Sequence, residues 1–236
     1  QLSHYSILPF VGINLYCRTD GRFFYPSVIT KYEKKKSLFD LLFKTNDKYY
    51  FSDTEKMIVL LGTATGLKYL HKHDITHGNL KPSNILINSK YEPFISDFFN
   101  SHLDAKDPTS IAFIAPEVLN YDLQKIEATK TSTLTKTAGK DLQTTGKDLQ
   151  TTGNLGTDNE KKKVSKYTKE ADVYSFGMIT LSVLSSLAPF AVESLQPEKI
   201  IKKIISGSRP TIPSYIPSNY VKLIERCWSQ DPSQRP

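Results

Sequence analysis

Only two cysteines, two methionines and one tryptophan occur in the 236 residues, and each scarcity excludes something. Cys17 and Cys227 are far apart and form no metal-ligand spacing, so neither a disulfide framework nor a thiolate metal centre is expected. The simplest compartment for such a chain is reduced, hence intracellular and cytoplasmic. No apolar run reaches the roughly 18 residues that a membrane span requires. The N-terminal stretch "QLSHYSILPF" also lacks the charged region that opens a secretory signal. Neither Met57 nor Met178 is an initiator, which reads as a segment of a longer chain. Nowhere does G-x-G-x-x-G appear, so a glycine-rich phosphate cradle is missing from these residues.

What is present is an ordinary globular composition, 39% apolar, enough to bury a sizeable core. The net charge of +7 raises nucleic acid or anionic lipid as partners, but the basic residues are dispersed. The exceptions, Lys34–Lys36 and Lys161–Lys163, read as solvated loops, so no nucleic-acid or membrane partner is expected.

The runs "YSILPFVGINL" and "FFYPSVITKY" are β-branched and aromatic, and Asp20-Gly21 between them signals a hairpin turn, predicting two antiparallel strands. Ser52 and Glu55 fit a capping box, and Met57, Leu60, Leu61, Ala64, Leu67 and Leu70 follow at helical spacing. "ILIN" and "PFIS", split by "SKYE", predict a small hairpin. Residues 171–187, apolar on nearly every face, predict a buried helix. Two more helices are expected, one between Pro197 and Gly207 and one over 218–229.

Between these elements, residues 122–166 are rich in Thr, Lys, Gly and Gln. Inside them "GKDLQTT" occurs at 139–145 and again at 146–152. One Leu per repeat gives no apolar seam, and two copies are too few for a solenoid. The stretch is read as a disordered insertion expanded by duplication. Lengthening a connection about fourfold costs only about 1 kcal/mol in closure entropy, so a fold can carry it.

Taken in order, "ITHGNLKPSNILI", "ISDFF", "IAFIAPEVL", "EADVYSFGMI" and "RCWSQDPSQRP" resemble the C-terminal lobe of protein kinases, in particular the tyrosine-kinase-like serine/threonine group. The resemblance implies an α+β, protein kinase-like fold, mainly helical. Residues 1–33 would supply the last strands of the N-terminal lobe and the hinge. Residues 34–121 would carry the catalytic loop and activation segment, 122–166 the insertion, and 167–236 the helical remainder. ATP and Mg2+ are the implied cofactors, and a protein partner or protein substrate the implied macromolecule.

Carried over residue by residue, Asn84 and Asp97 fall on the magnesium-holding positions. Lys81 matches the lysine that steadies the transferred phosphoryl group in serine/threonine kinases, and Ser110 the hydroxyl that meets it. Thr30 falls on the gatekeeper, Lys31, Tyr32 and Glu33 on the hinge that faces adenine, and Leu86 on the nucleotide's floor. Asp172 resembles the buried aspartate that anchors the loop, Glu117 with Arg235 the structural ion pair, and His77 and Phe98 the internal packing residues.

Three positions depart from the pattern. Asn79 takes the place of the catalytic base, and a carboxamide offers a carbonyl acceptor without basicity. Gly78 replaces the arginine that receives an activation-loop phosphate, so activation by loop phosphorylation is not expected. Phe99 replaces the glycine after Asp97-Phe98. His71, His73 and Asp74, near the loop, are read as polar residues of a helix end. The family's nucleotide roof, a glycine-rich strand pair with its lysine and glutamate, would lie upstream of residue 1. The resemblance thus implies a kinase-like, pseudokinase-like signalling domain, catalytically impaired, that acts through partners and ATP. The alternative is an active atypical ATP-dependent protein serine/threonine kinase.

Overall fold

A computed structural model describes residues 2–14, 27–44, 49–97, 108–124, 167–190 and 196–236. The Asp20-Gly21 turn, Cys17, Phe98, Phe99 and the GKDLQTT repeat lie outside the described residues.

The chain opens with β1 (Phe10–Asn14) and β2 (Ser27–Thr30), paired antiparallel as their composition predicts, with a bulge between Phe10 and Gly12. This hairpin buries little of itself, leaving Val11, Ile13 and Val28 exposed. Next comes α1 (Leu38–Phe43), which the sequence reading did not identify; Ser37 and Asp40 cap it reciprocally. The long helix α2 (Asp53–Lys72) starts at Ser52, whose hydroxyl accepts from Glu55 N while the Glu55 carboxylate accepts from Ser52 N.

A 3₁₀ turn (Pro82–Asn84) leads into β3 (Ile85–Ile87), which pairs with β4 (Pro93–Ile95) in the register Leu86 to Phe94. Residues 6–8 lie parallel beside β4, with Ile95 N donating to Ser6 O and Leu8 N to Ile95 O. Gly62 lets α2 lie against this hairpin, since a Cβ there would come within 2.5 Å of Pro93 Cγ. Then follow α3 (Pro108–Ile111) and α4, residues 116–124, so residues 122–124 still belong to a helix.

Helix α5 (Lys169–Ser185) runs through the core. Tyr174, Met178 and Ile179 on it are fully buried, as its near-continuous apolar character predicts. Helices α6 (Pro197–Ile205) and α7 (Ser218–Cys227) complete the helical part, α7 packing on α5. Among the described residues no helix is long and apolar enough to cross a membrane.

Candidate functional site

The loop between α2 and β3 is held from the first turn of α5. Asp172 is buried, and buried polar oxygens need hydrogen-bond donors. It has them: Oδ2 accepts from His77 N at 2.8 Å and Oδ1 from Gly78 N at 2.9 Å. His71 supplies a third, its Nε2 lying 2.8 Å from Oδ2; because a carboxylate accepts, that nitrogen carries the proton. His71 is therefore more than a helix-end residue. Nothing local marks it, because its partner is 101 residues away.

His77 is buried within the loop and its Nδ1 accepts from Asn79 N at 3.2 Å. Burial pushes its pKa below the ordinary value, although the Asp172 charge acts the other way. The ring is packed inside the loop and ties it down through that bond. Gly78 adopts φ +73°, a left-handed conformation that suits glycine. The ring of Tyr167 lies against it, 3.3 Å from where a Cβ at 78 would stand.

Asn79 is half-buried, and its carbonyl accepts from Asn84 Nδ2 at 2.8 Å. Ser96 N and Oγ both donate to the Asn84 carbonyl, at 2.9 and 3.2 Å, and Ser96 Oγ also reaches Asp97 Oδ2 at 3.2 Å. One serine thus brings Asn84 and Asp97 together, with the exposed Asp97 in a left-handed conformation at φ +58°. The Asn84 amide and the Asp97 carboxylate, linked through Ser96, carry hard oxygen atoms of the kind that suit Mg2+. Among the described residues no group of three or more His, Cys, Asp or Glu is placed to hold a metal ion.

Lys81 reaches from the loop to α3, where its Nζ donates to the buried Ser110 Oγ at 3.0 Å. A small pocket opens there, walled by Asn79, Lys81, Ser110, Tyr167 and Asp172. The two sequence-predicted residues therefore touch, beside Asn79.

Of the hinge candidates, Lys31 lies with its ammonium over the Phe94 ring on β4, 5.2 Å from the centroid. Ile87 N donates to Lys36 O, and Ser37 bridges to Leu86, which brings the segment after the hinge candidates alongside β3. Lys31 N is engaged by Pro9 O at 3.0 Å, and its ammonium pairs with Glu33 at 2.8 Å. Thr30 and Tyr32 are exposed, as is the face of the β1–β2 hairpin beside them. Asp74 is drawn to Lys169 at 2.7 Å, and that ammonium holds its carboxyl below the ordinary range.

Farther out, Arg235 is fully buried and grips Glu117 with two bonds, Nη1 to Oε1 at 2.7 Å and Nη2 to Oε2 at 2.9 Å. It also donates to the Glu170 carbonyl at 3.0 Å, tying the chain's C-terminal end to the base of α5.

Compared with known families, residues 2–133 match the protein kinase domain, and residues 152–236 match the protein tyrosine and serine/threonine kinase family. A light-sensor protein kinase of Ceratodon purpureus is 30% identical over 81% of this chain and 14% of its own. A putative serine/threonine-protein kinase/receptor of Acanthamoeba polyphaga mimivirus is 27% identical over all of this chain and 12% of its own. A protein kinase and PP2C-like domain-containing protein of Arabidopsis thaliana is 24% identical over 76% of this chain and 27% of its own. The chain thus spans a small part of the length of these curated relatives.

Proposed function

The chain belongs to the protein kinase domain family, and from that premise we propose that it is a catalytically impaired domain of the serine/threonine class that signals through protein partners and through bound ATP. Kinases of this family use ATP with Mg2+. The observation that carries the reading is Asn79, set in a loop whose anchors at Asp172, His77 and Asn84 are all in place. Shape is kept and basicity is gone. Loss of general-base help typically costs about 10²- to 10⁴-fold in rate, roughly 3 to 5 kcal/mol of barrier.

Asn84 and Asp97 would hold the metal, which supplies charge neutralisation for the phosphates, and Leu86 with residues 30–33 would receive the base. A cytoplasmic location fits the two widely spaced cysteines. The second reading, an active atypical serine/threonine kinase, draws on the Lys81–Ser110 contact, which keeps an ammonium beside the place where a substrate hydroxyl would sit. In it Asn79 orients that hydroxyl without taking its proton, because phosphoryl transfer leans mainly on positioning and electrostatics.

Thermal unfolding of the full-length protein with and without Mg·ATP tests the nucleotide arm. Saturation at about a hundredfold over Kd stabilises by about 2.7 kcal/mol, and Asp97→Ala is expected to remove most of the magnesium-dependent part. A melting temperature unmoved by Mg·ATP would remove ATP from the account and leave partner binding alone.

A further inference from the structure

Gly78 and Tyr167 are adapted to each other. At φ +73°, Gly78 turns its Cα toward the ring of Tyr167, and a Cβ there would lie 3.3 Å from Cγ and 3.5 Å from Cβ and Cδ1. A ring approaches backbone this closely because residue 78 carries no side chain. Tyr167 is itself held in place, since the next residue, Thr168, caps α5 by accepting from Ala171 N at 3.2 Å. Four residues on, Asp172 takes the Gly78 amide from the same helix end.

We propose that Tyr167 is a positioning residue for the loop at 76–84, its ring seated on Gly78 so that the N-terminal end of α5 grips the loop at two points. The loop is ordered by packing, in a chain where glycine has displaced the arginine that would have answered to a phosphate. Tyr167 lies immediately before the Thr168 cap, so the order of the loop is tied to the start of α5. The proposal rests on reading residues 76–84 as a catalytic loop, but its test does not depend on catalysis.

Hydrogen exchange followed by mass spectrometry on the full-length protein reads the loop directly. In Tyr167→Leu, which keeps apolar bulk without a flat ring, peptides covering 76–81 are expected to exchange about tenfold faster while α2 is unchanged. Tyr167→Phe is expected to match the wild type. Gly78→Ala, which presses a methyl group into the ring, is expected to loosen the same peptides. Phosphatase treatment is expected to leave their exchange as it was. The proposal is overturned if Tyr167→Leu or Gly78→Ala leaves the loop unchanged, if α2 and α5 accelerate by the same factor as the loop, or if phosphatase loosens it. A wild type that ignores Mg·ATP would count against the nucleotide reading and leave these exchange results standing.

Discussion

Asn79 and His77 sit two positions apart in one loop and depart in opposite ways from what a general base requires. Asn79 has a suitable place beside Lys81 and Ser110 but a side chain without basicity. His77 has a basic ring but is sealed in the core, its Nδ1 given to the Asn79 amide. The pH dependence of stability follows from that burial. Its pKa lies below the ordinary 6.5 when folded, so unfolding takes up a proton, and this contribution is complete above 6.5 and lost as pH falls below it. Urea unfolding at a series of pH values is expected to show stability falling by up to about 1.4 kcal/mol per pH unit from this one group. His77→Gln should flatten that slope. Equal slopes in the two proteins would show that His77 takes no part in it.

Helix α2 and the β3–β4 hairpin form the floor on which the loop is built, and their contact is set by Gly62 against Pro93. Two effects compete in Gly62→Ala. Alanine is the better helix former by about 1 kcal/mol, whereas a methyl group 2.5 Å from Pro93 Cγ overpacks the contact, at about 1 to 3 kcal/mol. The proline ring cannot swing away, so a net loss of roughly 1 kcal/mol is expected in denaturant titrations. A more stable variant would mean that the hairpin does not press on α2 as described.

These elements also show what could be read in advance. The α2 cap was legible because Ser52 and Glu55 are neighbours in sequence as well as in space. The hairpin was legible from two short apolar runs around a turn. Helix α1 was overlooked although Ser37 and Asp40 carry the same local signature, because six residues are too few for an apolar period to stand out. The parallel pairing of Ile7 with Ile95, the His71–Asp172 bond and the seating of Tyr167 on Gly78 join distant segments, and no local pattern encodes them.

Across the whole molecule the retained interactions are those that hold parts together. Arg235 and Glu117 bind the chain's end to α4, and Asp172 binds the core helix α5 to the loop. Val11, Ile13 and Val28 leave an exposed apolar patch on the β1–β2 pair, next to the hinge candidates in sequence. The order of the elements and the family to which the chain belongs were readable from five motifs. What each loop side chain touches was not, because Lys81 reaches Ser110, and Asn84 reaches Ser96 beside Asp97, only through the tertiary fold.

The central claim is that a kept scaffold surrounds a lost base, and the direct measurement is magnesium-dependent transfer of the γ-phosphoryl group from ATP to serine or threonine. It compares full-length wild-type protein with Asn79→Asp, using Asp97→Ala as the blank. The account predicts wild-type transfer near the blank and a rise of at least about tenfold on restoring the carboxylate. Robust wild-type transfer that Asp97→Ala abolishes and Asn79→Asp does not raise would contradict it.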